Sequence, residues 1–304
     1  MKPKCQVKIG QLILKNPVLT ASGTFGYGVE YSSFLDLNLL GGIVTKGISL
    51  NPKEGNPPPR IYETPCGMIN SIGLQNIGFD VFVKEKLPIL KRFDTKIVVN
   101  FFGENLDEYI ELAGKLDGTE GVHAIEMNVS CPNKKSEWRK MGLKPELLRE
   151  AIKEVRKVTK KTLIIKLSPQ IADTEEMAKI CEEEGADAIS LINTIPAMVI
   201  DIKKRKSIIG NPIGGLSGPA IRAVAVRMVW EAAKAVKIPI IGVGGITNAE
   251  DALQFLIAGA TAVAIGTANF INPLCSIEVI NGIERFLIEE GIEDIYDLIG
   301  TIKQ

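Results

Sequence analysis

The residues best suited to chemistry form one short stretch, Asn128-Val129-Ser130-Cys131-Pro132-Asn133. An apolar run before it, Ala124, Ile125 and Met127, reads as a buried strand. The stretch therefore emerges at that strand's C-terminal end, where catalytic groups collect in repeating β/α chains. Cys131 is the one side chain in it able to exchange a proton near neutral pH. Asparagines on either side offer uncharged donors and acceptors, which suit the edge of a planar, carbonyl-rich ring. Pro132 fixes its own φ and steers Cys131 away from helical geometry, holding the loop open. A buried structural cysteine at a tight turn is the plainer alternative; the flanking amides favour function.

Other candidates also lie at strand ends. Gly42 to Thr45 reads as a strand and is followed by Lys46-Gly47. A solvated surface lysine is the competing interpretation of Lys46. Leu163 to Leu167 is another apolar run and carries Lys166, which is costly inside a strand unless paired or functional. A cofactor role is favoured there over a structural ion pair. Asn100 ends the run Lys96 to Val99, and Asn193-Thr194 ends Ala188 to Ile192. Val18 to Thr20 runs into Ala21-Ser22-Gly23-Thr24, small residues that let a flat ligand approach the backbone or simply make a turn. Pro239 to Val243 ends in Gly244-Gly245, and Ala262 to Ile265 ends in Gly266-Thr267. Paired glycine-rich tips on the last two strands of a barrel form a phosphate site from backbone N–H groups; packing glycines are the alternative.

Eight such strands alternate with helical patterns, placed near 79–90, 106–116, 145–158, 174–184, 219 onward, 249–258, 277–290 and 292–298. A βαβ repeat favours a parallel sheet, and a closed barrel needs about 250 residues. The 304 residues are expected to form one domain, a (β/α)8 TIM barrel spanning 1–304. The surplus lies in an N-terminal β-hairpin, Val7 to Leu14 around Gly10-Gln11, and in two long insertions on the C-terminal face, Ile48 to Gly78 and Ile195 to Ser217. The hairpin is expected to plug the barrel bottom. The first insertion holds Asn56-Pro57-Pro58-Pro59-Arg60 and then Asn70-Ser71-Ile72-Gly73-Leu74-Gln75-Asn76, with Asn70 and the backbone at Gly73 as ligand contacts. The polar run Lys134 to Met141 could cover the site as a flap or form a solvated loop.

Composition narrows the function. A formal net charge of +0 with no basic cluster argues against a nucleic-acid surface. No apolar run approaches the ~20 residues of a membrane span, and the N-terminus alternates like a strand without a signal-peptide core. Five cysteines without CxxC spacing suggest a reducing compartment, with cytoplasm as the default, and no zinc or iron–sulfur site in this chain. His123 is the only histidine and sits at the start of its strand, on the stability face of a barrel, so no histidine-based metal site follows. No GxGxxG follows a strand, which leaves a Rossmann site unsupported.

A phosphate site, two strand-tip lysines and an apolar barrel mouth suit a flat phosphorylated cofactor, and flavin mononucleotide (FMN) fits best. A lysine near the flavin's pyrimidine edge would stabilise the charge of the reduced ring. Asn70, Asn128, Asn133 and Asn193 would ring a second planar molecule, from which Cys131 takes a proton next to a carbonyl. An ordinary thiol pKa of ~8.5 predicts a rate that rises with pH until Cys131 ionises.

Thr45-Lys46-Gly47, Asn56 to Arg60, Asn70 to Asn76, Asn128 to Asn133 and Asn193-Thr194 resemble the class 1 dihydroorotate dehydrogenases over nearly the whole chain. Cysteine at 131 resembles class 1; membrane-associated class 2 members have serine there and an N-terminal extension absent here. The run Glu54 to Arg60 with Gly73 to Asn76 is closer to the NAD-linked subclass 1B than to fumarate-linked 1A. The resemblance implies Cys131 as general base and dihydroorotate contacts from Lys46, Asn70, Ser71, Ile72, Gly73, Leu74, Asn128, Asn133, Asn193 and Thr194. It implies FMN contacts from Ser22, Lys46, Gly47, Asn100, Asn128, Lys166, Ile192, Gly218, Gly244, Gly245, Gly266 and Thr267. It also implies a partner subunit carrying FAD and a [2Fe–2S] cluster, joined to a homodimer of this chain as a heterotetramer. The alternatives are a 1A enzyme, a dihydropyrimidine dehydrogenase subunit, which would not need to bind a substrate carboxylate, and a flavin-free phosphate-binding barrel.

Overall fold

The computed structural model describes residues 2–130 and 141–303. The chain opens with the expected hairpin, β1 (Val7–Ile9) and β2 (Leu12–Leu14). Its alternation buries Val7, Ile9, Leu12 and Leu14 on one face. The Gln11 N–H donates to Thr162 Oγ1 at 2.9 Å, at the N-terminal end of a barrel strand. The hairpin therefore lies at the barrel bottom, as expected.

In chain order the next strands are β3 (Val18–Thr20) and β4 (Gly42–Val44), and then β5 (Ile61–Thr64) and β6 (Gly67–Asn70) inside the first insertion. β7 (Lys96–Phe101), β8 (Ala124–Asn128), β9 (Thr162–Lys166) and β10 (Ala188–Leu191) follow. The second insertion holds β11 (Ile195–Ala197), β12 (Ile200–Asp201), β13 (Lys206–Ser207) and β14 (Gly214–Ser217). β15 (Ile240–Val243) and β16 (Ala262–Ile265) complete the series. Among the described residues, eight parallel strands close in the order β3-β4-β7-β8-β9-β10-β15-β16 and back to β3. Their residues are buried almost without interruption, as strands covered on both faces must be. The barrel and its placement of the strand tips match the expectation.

The helices between strands follow their sequence signals. Asn105, Asp173 and Asn248 each accept an N–H three residues on, capping helices Leu106–Asp117, Thr174–Glu183 and Ala249–Ala258. Pro145 opens Pro145–Val158. The helix expected from Phe79 to Leu90 is present, with a π segment at Phe82–Lys86. Pro88 lacks an N–H and crowds the carbonyl four residues back, which accounts for the widened turn.

Two expectations change. The final helix placed over 292–298 is only a 3-10 turn, Ile295–Asp297. Gly291 (φ 68°) ends the preceding helix, and the Lys4 and Ile295 N–H groups pair with the Glu293 and Lys4 carbonyls. Those carbonyls and amides are thus spent on the N-terminal segment instead of on a helix. The two insertions, read as loops, instead build one antiparallel sheet of order β11-β14-β6-β5. Gly215, Leu216 and Ser217 pair with Asn70, Ile69 and Met68 across it. This sheet roofs one side of the barrel mouth.

Candidate active site

Two adjoining cavities occupy the C-terminal mouth. The larger, about 440 Å³, lies between the strand tips and the insertion sheet. The smaller, about 70 Å³, lies at the tips of β15 and β16. Ser22, Lys166, Asn193 and Thr194 line both, so the cavities are continuous. Every predicted site residue that the structure describes lines one or the other. Lys46, Gly47, Asn70 to Leu74, Asn100 and Asn128 face the larger, while Ile192, Gly218, Gly244, Gly245, Gly266 and Thr267 face the smaller. Cys131, Asn133 and the segment from Lys134 to Lys140 lie outside the described residues. On either side of them, Ser130 lines the larger cavity, and the Gly142 N–H donates to the Val129 carbonyl at 3.1 Å. Met141, the last residue of the expected flap, is buried.

The amides are set by the barrel and the sheet together. Asn128 Oδ1 accepts from the Ser130 N–H at 3.1 Å and from Asn193 Nδ2 at 3.2 Å, joining the tips of β8 and β10. Its carbonyl accepts from Tyr109 Oη at 2.7 Å, which anchors it from the helix layer. Asn70 Nδ2 donates to the Gly215 carbonyl at 3.2 Å across the insertion sheet. Asn56 Nδ2 donates to Ser71 Oγ at 2.9 Å, and Arg60 Nε holds the Asn56 carbonyl. Gly73 has φ 72°, and a Cβ there would lie 2.5 Å from the Asn56 backbone nitrogen. The Asn70–Leu74 stretch is thus shaped by the Asn56–Arg60 stretch beneath it.

The two lysines differ. Lys46 is half-buried, and its Nζ donates to Gln75 Oε1 at 3.2 Å. Burial, and then the charge of Arg60, push its pKa below the ordinary lysine value. Lys166 is 6% exposed, with Nζ 3.6 Å from Glu126 Oε1. The ion pair, set against a cofactor role on sequence, is present, and the same side chain lines both cavities. Sequence reasoning passed over Glu126, although an acid within an apolar strand is the signal that exposed Lys166.

At the smaller cavity, Gly244 (φ 139°), Gly245 (φ 71°) and Gly218 (φ 92°) adopt backbone conformations that L side chains avoid. Thr267 Oγ1 donates to Ser217 Oγ at 2.8 Å beside them. A pocket walled by main chain suits an anion held by N–H groups. Ser130 Oγ, at the larger cavity, is buried without a hydrogen-bond partner among the described residues. A polar planar molecule bound there would satisfy it. These features fit an FMN-sized group, with the glycine tips able to hold its phosphate. Other lining residues were missed. Asn56 and Gln75 sit inside the quoted motifs, and Ser168 and Gln170 just past β9; Asn211, in the second insertion, carries no sequence signal. His123 is exposed at the start of β8, its Nδ1 accepting the Ile97 N–H at 3.1 Å, far from the mouth. No metal-holding cluster of His, Cys, Asp or Glu occurs among the described residues, and no helix there is long and apolar enough to cross a membrane.

A family model described as dihydroorotate dehydrogenase matches residues 4–287. The chain is 74% identical over 302 residues to the dihydroorotate dehydrogenase B (NAD(+)) catalytic subunit of Thermodesulfovibrio yellowstonii, covering 99% of this chain and 100% of that one. It is 56% identical over 298 residues to the protein of the same description from Thermoanaerobacter pseudethanolicus, covering 98% of each. In fold it is similar to the Eimeria tenella dihydroorotate dehydrogenase solved with ferulenol, with TM-score 0.80 and 24% identity, over 98% of this chain and 88% of that one.

Proposed function

The chain belongs to the dihydroorotate dehydrogenase family, and we propose that it is the catalytic subunit of an NAD-linked enzyme oxidising dihydroorotate to orotate for pyrimidine synthesis. The observation that carries this is the joining of a half-buried Lys46, in no ion pair among the described residues, and three strand- and sheet-borne amides with a main-chain-walled anion pocket in one mouth. Relatives at 74% and 56% identity described as NAD(+) catalytic subunits support the NAD-linked reading over the fumarate-linked one.

FMN, on which the family depends, would lie with its phosphate at Gly218, Gly244, Gly245, Gly266 and Thr267, and would supply hydride acceptance when bound. The Lys46 ammonium binds the substrate carboxylate as a charge-assisted pair. Asn70, Asn128 and Asn193, with Asn133, orient the carbonyl-bearing ring. Cys131 takes the proton from the carbon next to the carbonyl, as a thiolate, because a thiol is too weak a base. The insertion sheet shields the ring from water, which strengthens each of these contacts. A carboxylate requirement separates this reading from a uracil or thymine reductase, in which Lys46 would have no partner.

Electrons must leave the site. The chain has no GxGxxG stretch and no CxxC spacing, so the NAD site and relay belong to a second polypeptide, carrying FAD and [2Fe–2S], on a homodimeric core. Anaerobic addition of dihydroorotate to the purified yellow chain should bleach the flavin absorbance, and thymine should not. Steady-state assays of the chain alone should give little turnover with NAD. Rapid turnover with fumarate, or with NAD and no second subunit, would replace the partner reading with a self-sufficient enzyme.

A further inference from the structure

The barrel interior holds an acid that touches neither cavity but grips residues that do. Glu126, in the middle of β8, is 2% exposed. Asn100 Nδ2, from β7, donates to its Oε1 at 2.7 Å. Ser190 Oγ, from β10, donates to its Oε2 at 2.9 Å. Lys166 Nζ, from β9, stands 3.6 Å from Oε1. Four consecutive barrel strands thus converge on one carboxylate. Asn100 and Lys166 line the larger cavity, and Glu126 lines neither.

An ionised carboxylate accepts hydrogen bonds and donates none. It therefore fixes the Asn100 amide with its NH2 inward and Oδ1 outward, beside Gly47. A Cβ on Gly47 would lie 2.6 Å from that Oδ1, so the glycine leaves the oxygen its room. The same acid restrains the Lys166 ammonium and offsets its charge. A lysine there without a counter-charge would present a full positive charge to any ring in the cavity.

We propose that Glu126 is a positioning residue of the flavin site: it orients Asn100 and Lys166 and sets the net charge that they present to the flavin's pyrimidine edge. This rests on the FMN reading of the cavity. It also deepens that reading, because it assigns the redox tuning to a group that the flavin never touches.

The test is the midpoint potential of the FMN bound to the full chain, measured by equilibration with reference dyes. Glu126→Gln keeps the volume and removes the charge, so the Lys166 cation acts undiluted and favours the reduced, more negative ring. The potential should rise by about 30 mV or more, a tenfold change in the two-electron equilibrium. Ser190→Ala removes a donor from Oε2, leaves the cavity walls alone and concentrates the negative charge near Lys166. The potential should fall, by less than the first shift. These opposite signs are what a purely structural ion pair does not produce. An unchanged or lowered potential in Glu126→Gln overturns the role of Glu126, whatever happens to the melting temperature. If that variant does not fold, Ser190→Ala carries the test, and an unmoved potential there overturns it equally. A wild-type chain that takes up no FMN on titration overturns the cofactor reading itself, which a flavin spectrum with unmoved potentials would leave standing.

Discussion

Lys46 and Lys166 occupy equivalent places, each near the C-terminal tip of a barrel strand, yet their surroundings are opposite. Lys166 sits inside the barrel, paired with Glu126 in a network anchored by Asn100 and Ser190. Lys46 sits in the mouth, its ammonium hydrogen-bonded to the Gln75 side-chain oxygen and in no ion pair among the described residues, with the Glu30 carboxylate acting on it only through its field. A cation that must capture an anionic substrate is better left without a competing anion, and burial then sharpens its demand for one. A cation facing a ring that is neutral before the reaction and anionic after it is better partly offset, since a full charge would bind only one of the two states well. On the proposed function, the two lysines divide the work between substrate capture and electron acceptance.

The first way to test that reading is to remove the proposed base. Cys131→Ala should leave the protein yellow and folded, while flavin reduction by dihydroorotate, followed by anaerobic stopped flow, slows by ~10²–10⁴-fold. In the wild type the same rate should climb with pH as the thiol ionises. Near-normal reduction in the alanine variant would take Cys131 out of the mechanism.

Stability separates the lysines next. Lys166→Ala strands Glu126 as a buried, uncompensated charge, and denaturant unfolding of the chain should lose about 3 kcal/mol. Lys46→Ala leaves no buried charge behind and should cost under ~0.5 kcal/mol. Equal losses would mean that the two environments do not differ as described.

Substrate affinity should invert that order. Lys46→Gln removes a charge-assisted contact worth about 1.5–3 kcal/mol, so dihydroorotate binding should weaken by roughly 10- to 100-fold. The burial that lowers the Lys46 pKa also sets a pH signature. The ammonium is lost as pH rises through a value below that of an ordinary lysine. Orotate affinity should therefore hold at lower pH and decline on the alkaline side, and Lys46→Gln should abolish the decline. An unaltered decline in the variant would assign it to another group.

The smallest effect is expected at Gln75. Gln75→Ala removes one neutral acceptor from Lys46, so substrate affinity measured by flavin perturbation should change by less than about tenfold. A larger loss would show that Gln75 itself binds the substrate.

The strand ends of this barrel were legible in the chain because their signals are local. Apolar runs of four to six residues ending in Lys46-Gly47, Asn128, Asn193-Thr194, Gly244-Gly245 and Gly266-Thr267 declare both the strand and the tip. Once a β/α repeat is recognised, its geometry carries all those tips to one face. The roof was not legible. β6 and β14 carry their partners 145 residues apart, as the Asn70–Gly215 contact shows, and neither strand has a periodicity of its own strong enough to announce it. Glu126 marks the same limit inside the barrel. The sequence alone determines that an acid and a lysine interrupt two apolar strands. Only the closed barrel, which brings β7, β8, β9 and β10 side by side, makes them one network, because a buried charge is tolerable only where several strands supply its partners at once.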